Sequence, residues 1–286
     1  MNQAADRCVV CDGAMRAGMK PWHAVCTGCA YEQAALEPVI NDPHAHANMD
    51  EAERETALRA IRQENFAEIL QHLATLVAPG GRLLDVGCAH GWFLEAASNQ
   101  YQVLGIEPDE AVAGRTSARG LPVRCGFFPN VLADDERFDV IVFNDVLEHI
   151  PDVRAAVDAC HRHLNPNGVL VLNLPNSGGF FYRLSKVLAR AGVAGPFERL
   201  WQKDLPSPHV HYFNPANLSR LIERHGFRSE RAFQLPAIRA NGLYERIHYV
   251  NRNRLTASVQ YLGVAGTLPF LKLFPSDIVV GMYRKK

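Results

Sequence analysis

The sequence predicts an α/β protein: a mostly parallel, doubly wound sheet preceded by a small separate module. Three observations carry this. Seven short apolar runs follow one another from residue 82 onward, helical segments separate most of the first five, and four of the seven cysteines form two C-x-x-C pairs within the first 30 residues. A chain of 286 residues suffices for about two units. Lys and Arg total 30, as do Asp and Glu, so the formal charge is zero. That removes the bulk attraction a nucleic-acid or polyanion binder uses. Apolar residues at 48% and charged residues at 21% exclude a largely disordered, collagenous or coiled-coil chain.

Residues 1–10 hold no apolar stretch behind a basic start. No secretory signal is therefore expected, and the expected compartment is the cytoplasm. Without export, seven cysteines argue against a disulfide framework. Cys8-Val9-Val10-Cys11 and Cys26-Thr27-Gly28-Cys29 are separated by fourteen residues. Each pair can bend in a tight turn that aims two thiolates at one ion, and two pairs complete the closed four-thiolate shell of a structural zinc site. Few apolar residues precede Tyr31, so the segment is expected to depend on the metal for its folding. Residues 1–40 are assigned to this zinc-ribbon-like module and 41–286 to the sheet domain, with 41–48, including Pro43, His44 and His46, as the linker. Cys88, Cys125 and Cys160 read as core thiols.

Over 50–78 the apolar positions Leu58, Ile61, Ile69, Leu70, Leu73, Leu76 and Val77 recur mostly at three and four, which predicts an amphipathic helix ended by Pro79-Gly80-Gly81. Strands are expected at 82–86, 102–106, 122–125, 138–143 and 168–172, then at 227–234 and 277–283, seven in all. Before the last lies an uncharged stretch, 255–271, broken by Thr256, Ser258, Gln260, Thr267 and Pro269. It falls short of the about 20 apolar residues that span a bilayer, so no transmembrane segment is expected. It reads first as a buried or cleft-lining helix and second as a membrane-surface contact.

Ligands of such sheets bind beyond the carboxyl ends of the strands. Asp85-Val86-Gly87-Cys88-Ala89-His90-Gly91 is a strand end, a glycine-bearing turn and a helix start. It lacks G-x-G-x-x-G, so a nicotinamide cofactor is not favoured. Glu107, in Leu104-Gly105-Ile106-Glu107-Pro108-Asp109, stands at the end of the second strand, where a carboxylate would accept both hydroxyls of a ribose.

Together with Phe138-Asp139-Val140-Ile141 and Leu164-Asn165-Pro166-Asn167-Gly168-Val169-Leu170, these segments resemble the ordered motifs of class I S-adenosylmethionine-dependent methyltransferases, over roughly residues 60–286. Such enzymes have a Rossmann-like fold. Asp145-Val146-Leu147-Glu148-His149-Ile150-Pro151-Asp152 and His209-Val210-His211-Tyr212-Phe213-Asn214 resemble the branch that includes the ubiquinone-biosynthesis O-methyltransferases. The four-cysteine module also resembles that of deoxysugar C-methyltransferases, which carry a further C-terminal domain. The resemblance implies S-adenosylmethionine as cofactor, held by Asp85, Gly87, Cys88, Gly91, Glu107, Phe127, Asn144 and Asp145. Two departures are Ala89, where a second glycine is common, and Gly126-Phe127-Phe128, which lacks the acid often found near the adenine. Ala89 is tolerable with negative φ.

Methyl transfer to oxygen or carbon needs alignment and a base. Glu148 and His149 follow the fourth strand within about one turn, and His149 has the group type suited to base work near neutral pH. Asp145, Glu148 and His149 are also an O/O/N set, similar to a cluster proposed to hold a divalent ion in ubiquinone-type enzymes; the ion is the less favoured reading. A structural alternative has Glu148 and His149 capping a helix that begins at Pro151. Residues 176–212 read as a substrate lid carrying Phe180, Phe181, Tyr182, Phe197 and Trp201 among Arg183, Lys186, Arg190, Arg199 and Lys203. These either recognise a phosphorylated or nucleotide-linked acceptor or form an amphipathic helix with a wet face. His209 and His211 would point one way on an extended chain, toward the acceptor pocket.

The expected function is methylation of a small-molecule, sugar-linked or lipid-like acceptor. An RNA methyltransferase is the first rival, disfavoured by zero charge and by Asn173-Leu174-Pro175-Asn176, which lacks a stacking aromatic. A cofactor-binding regulator is the second. The 255–271 helix fits a lipid-like acceptor or a homodimer face.

Overall fold

The computed structural model describes residues 7–39, 51–250 and 253–286, so the expected linker at 41–48, with Pro43, His44 and His46, lies outside the described residues. In chain order the elements are β1 (Met15–Ala17), β2 (His23–Cys26), β3 (Glu32–Ala34), α1 (Glu51–Leu73), β4 (Arg82–Val86), α2 (Trp92–Ala97), β5 (Gln102–Glu107), α3 (Glu110–Ala118), β6 (Val123–Cys125) and β7 (Phe138–Asn144). After a 3-10 turn at Leu147–His149 come α4 (Val153–His163), β8 (Leu164–Pro175), α5 (Phe180–Arg190), α6 (Gly195–Leu200), β9 (His211–Tyr212), α7 (Pro215–Arg224), β10 (Phe227–Leu235), α8 (Leu243–Val250), α9 (Arg254–Leu271) and β11 (Ile278–Lys285).

The seven expected strands form one sheet in the order β10-β11-β8-β7-β4-β5-β6. All neighbours are parallel except β11, which is antiparallel to both β10 and β8. The central strands are apolar runs because both faces are covered. Along β7 and β8, Ile141, Phe143, Leu170 and Leu172 pack on one face against Val153 and Val157 of α4 and Leu218, Leu221 and Ile222 of α7. Val140, Val142, Val169 and Val171 pack on the other against Phe66, Ile69 and Leu73 of α1 and Phe93 of α2.

Helix α1 stops at Leu73, short of the expected residue 78. Beyond it Thr75 and Leu76 donate to carbonyls three residues back, a tightening consistent with the approach to Pro79. Strand β8 begins at Leu164 rather than 168, passing through Asn165-Pro166-Asn167, which reads locally as a turn. Cys88 and Cys160 are core thiols as expected, but Cys125 is exposed, because it ends the edge strand β6. The 255–271 helix forms yet is not buried: Ala257 is its one buried residue, because the chain covers only one of its sides. No described helix is long and apolar enough to cross a membrane.

The N-terminal strands make a second sheet, β1-β2-β3-β9, whose fourth strand comes from the end of the expected lid. Glu32 pairs with Tyr212 and Gln33 with His211. Cys8, Val10, Cys26 and Tyr31 share a core with Leu218 and Leu221, so the apolar residues missing before Tyr31 are supplied by the sheet domain. Asp12 seals this joint by accepting from Arg154 of α4 and Arg224 of α7, each at 2.5 Å. The two guanidiniums hold its carboxyl down at about 2. A depressed carboxyl contributes stability above its unfolded pKa of about 4 and loses it as pH falls toward 2. Asp12→Asn is thus expected to lower the melting temperature more at pH 7 than at pH 3, measured by thermal scans at both.

Candidate functional site

The β4–α2 turn lies where strand order reverses between β4 and β7. Gly87 and Gly91 have φ of 70° and 72°. A Cβ on Gly87 would sit 2.6 Å from Val146, and one on Gly91 2.5 Å from Leu121, so neither position admits a side chain. Ala89 has φ of 44°, not the expected negative value. Its N–H donates to Glu107 at 2.9 Å and its carbonyl accepts from Thr116 at 2.8 Å, which hold it in a conformation that costs about 1 kcal/mol.

Glu107 ends β5, buried, its second oxygen accepting from the Asp109 N–H at 2.9 Å. Burial raises its pKa against these two amides. Across the rim Asn173 donates to Asn144, and Asn144 to Asp85 at 3.3 Å, linking the carboxyl ends of β8, β7 and β4. Burial, opposed by the Asn144 hydrogen bond and aided by the Glu107 charge, pushes Asp85 up to about 8. Phe127, after β6, is 51% exposed at this rim. Cys88 is turned away from it: its Sγ packs toward Gly105 and its N–H donates to the Ile106 carbonyl.

Glu148 is 1% exposed on the 3-10 turn, and neither of its carboxylate oxygens has a hydrogen-bond partner among the described residues. Burial first, and the Asp145 charge second, push it well above the carboxylate range. The Nε2 atoms of His149 and His209 each lie 3.9 Å from its Oε1. His149 Nδ1 donates to the Pro208 carbonyl at 2.9 Å, so the neutral ring carries its lone pair on Nε2. His209 is held well below its ordinary pKa by burial and by His149. One ligand atom from each of Glu148, His149 and His209 fits within 4.8 Å.

Several expected residues sit elsewhere. Asp145 does not complete an O/O/N set, because its side chain turns to Arg62 of α1 at 3.2 Å; His209 takes that place. Glu148 and His149 cap no helix at Pro151, since α4 begins at Val153 under Asp152, which accepts from the Ala155 N–H. His211 stands outside the cluster of Glu148, His149 and His209. Its Nε2 donates to the Ile150 carbonyl, its Nδ1 accepts from Tyr31, and burial takes its pKa to about 4. It thus joins the module to the turn rather than lining an acceptor pocket. Arg62 was missed, since nothing in the amphipathic pattern of α1 marks it.

The expected lid folds as α5 and α6, but Tyr182, Phe197, Trp201 and Tyr212 bury against Met19 and Trp22 of the N-terminal module. Trp22 stacks on Phe197 at 5.9 Å and Tyr182 on Tyr212 at 4.2 Å. Beneath them Glu32 accepts from His23, Tyr182 and Lys186 at 2.8, 2.8 and 2.6 Å. Burial would raise Glu32, but His23 and Lys186 prevail and hold it low. Lys186 is spent there rather than on a phosphorylated acceptor. Cys8 and Cys29 bring their sulfurs to 3.6 Å, Cys11 and Cys26 to 3.5 Å, and all four lie within 4.8 Å. The Val10 and Gly28 N–H groups point at the Cys8 and Cys26 sulfurs.

A family model described as a methyltransferase domain matches residues 58–231. The chain is 28% identical over 184 residues to a protein of Mycolicibacterium smegmatis named "Probable S-adenosylmethionine-dependent methyltransferase", over 62% of this chain and 65% of that one. It is 29% identical over 153 residues to the ubiquinone biosynthesis O-methyltransferase of Nitrobacter winogradskyi, over 51% and 56%. The chain thus spans between about half and two thirds of the length of these curated relatives. A solved S-adenosylmethionine-dependent methyltransferase from Archaeoglobus fulgidus superposes with a TM-score of 0.55 at 17% identity, over 83% of this chain and 100% of that one, and shares the fold.

Proposed function

With residues 58–231 matching its model, the chain belongs to the methyltransferase-domain family, and from that premise we propose that it transfers the methyl group of S-adenosylmethionine to a hydroxyl of a small-molecule acceptor. The observation that carries this is the buried carboxyl of Glu148, without a hydrogen bond among the described residues, beside His149 and His209 at the carboxyl end of β7.

When bound, S-adenosylmethionine supplies a methyl group already activated on a sulfonium. Gly87 and Gly91 let the backbone approach the methionine part, which Asp85 and Asn144 hold. Glu107 accepts the ribose hydroxyls, and Phe127 covers the adenine. His149 receives the acceptor proton on Nε2 as the new carbon–oxygen bond forms and the methyl–sulfur bond breaks, leaving the thioether; Glu148, kept in its neutral form by burial, sits beside that ring at 3.9 Å. His149→Ala is expected to lower kcat by about 100-fold or more while S-adenosylhomocysteine binds within about twofold of wild type. Turnover against phenolic and nucleotide-sugar acceptors, read beside calorimetry, checks both; undiminished turnover would remove His149 from the mechanism. Absence of turnover in wild type that still binds the cofactor would instead favour a regulator.

Since Asp85 rests at about 8 in the free protein, it is largely protonated at pH 7. Holding an ammonium favours its ionised form, so S-adenosylhomocysteine binding at pH 7 is expected to release close to one proton per site. Calorimetry in phosphate and in Tris separates that release from the binding heat; equal heats would mean Asp85 does not meet the ammonium.

Two metal readings accompany this function. Four thiolates about 2.3 Å from one zinc ion would stand about 3.8 Å apart, which the Cys8, Cys11, Cys26 and Cys29 sulfurs approach. We assign them to a structural zinc site closing residues 7–39. In a second reading, which replaces the base role of His149, Glu148, His149 and His209 would hold a divalent ion that polarises the acceptor hydroxyl.

A further inference from the structure

Helix α9 is uncharged between its ends yet covered on one side. No charged residue occurs over 255–271, and no acidic one between Glu245 and Asp277. On the inner side Ala257 is buried and Tyr261 packs its ring on Tyr244 of α8 at 5.9 Å. The outer side shows Leu255, Val259, Leu262 and Phe270, at 77, 63, 69 and 65% exposure, and the chain continues into Leu273 at 79%. Spacings of four, three and eight residues put the first four on one stripe. Arg254 and Lys272 stand exposed at its two ends.

Charge decides what covers such a stripe. A second copy docked across a two-fold axis would set Arg254 and Lys272 against the same cations with no acid between, whichever way the helices ran. An anionic lipid surface meets both cations with phosphates while its acyl boundary takes the stripe. The helix is not a membrane span. It also walls a cavity of about 850 Å³ lined by Phe180, Phe181, Leu268, Leu271 and Phe274. Leu235, the last residue of β10, is in the same wall, so the cavity lies toward the carboxyl-end rim that carries Asn144 and Glu148.

We propose that α9 is a docking helix that lies flat on an anionic membrane surface and sets this cavity beside the bilayer, from which an acceptor with an apolar tail enters. The acceptor part rests on the methyltransferase reading; the docking does not. The test is sedimentation of the full chain with phosphatidylcholine vesicles, with and without one fifth phosphatidylglycerol. Wild type is expected to bind the anionic vesicles at least about tenfold more tightly than neutral ones, less so in high salt. The pair Val259→Glu and Leu262→Glu is expected to weaken that binding by about tenfold or more, and the pair Arg254→Glu and Lys272→Glu to remove the preference for phosphatidylglycerol. Unchanged S-adenosylhomocysteine calorimetry in these variants reports an intact fold, and loss of that binding in wild type would strike the methyltransferase reading alone. No vesicle binding by wild type overturns the docking, as does a wild-type dimer, seen by ultracentrifugation, that the Val259 and Leu262 changes dissociate without any lipid effect.

Discussion

Glu107→Ala is expected to abolish measurable S-adenosylhomocysteine binding, a loss of about 100-fold or more. The carboxylate has two duties in this fold. In the proposed binding mode it meets the ribose, and it already accepts the Ala89 and Asp109 N–H groups at 2.9 Å each. Removing it leaves two partly buried donors without partners, each worth about 1–3 kcal/mol. It also frees Ala89 from the φ of 44° that it holds only under constraint. The Gly87–Gly91 turn is then expected to relax, so the loss exceeds that of one ligand contact. Glu107→Gln keeps one oxygen and is expected to bind measurably but weakly. Calorimetry on both variants checks this; affinity within threefold of wild type in Glu107→Ala would place the ribose elsewhere.

Zinc removal, or Cys29→Ser, is expected to unfold residues 7–39 while leaving cofactor binding in place. Structural zinc supplies roughly 10 kcal/mol or more to modules of this kind. The Gly87 turn and Glu107 stand at the ends of β4 and β5 in the large sheet, held by hydrogen bonds of their own. The acceptor side differs. Tyr31 is bonded to His211, β3 to β9, and the Val210 N–H to the Glu148 carbonyl at 2.8 Å. A lost module is therefore expected to unseat His209 and Glu148, so turnover falls about 100-fold or more while S-adenosylhomocysteine still binds. Elemental analysis should find close to one zinc per chain, and chelation should produce the same split. Cofactor affinity and turnover falling together would refute this division of labour.

The large sheet was legible because parallel strands buried on both faces are continuous apolar runs. Phe138–Asn144 and Arg82–Val86 announce themselves, and turn signals bound them. The setting of Gly87, Gly91 and Glu107, a tight turn and a strand end, was legible for a related reason, since each is written within a few consecutive residues. The acceptor side was not. Strands of two to four residues, such as β3 and β9, have no periodicity to detect, and their pairing joins residues far apart in sequence. His209 meets Glu148, and Arg62 meets Asp145, only because separate segments converge. The 255–271 stretch was read in part: it is a helix that lines a cavity, but it is not buried. Its composition states how apolar it is, whereas burial depends on what else the chain can bring over it.

The bond between Tyr31 and His211 spans 180 residues, and that span has a consequence for biosynthesis. During synthesis at about 5–20 residues per second, the first four cysteines emerge long before β9 exists to complete their sheet. For roughly 10 to 40 seconds nascent residues 8–29 carry four thiols without the strand, the Trp22 pocket or the Arg154 and Arg224 anchors that finally enclose them. A ribosome stalled before residue 211 would display Cys8, Cys11, Cys26 and Cys29 without the strand that closes their sheet.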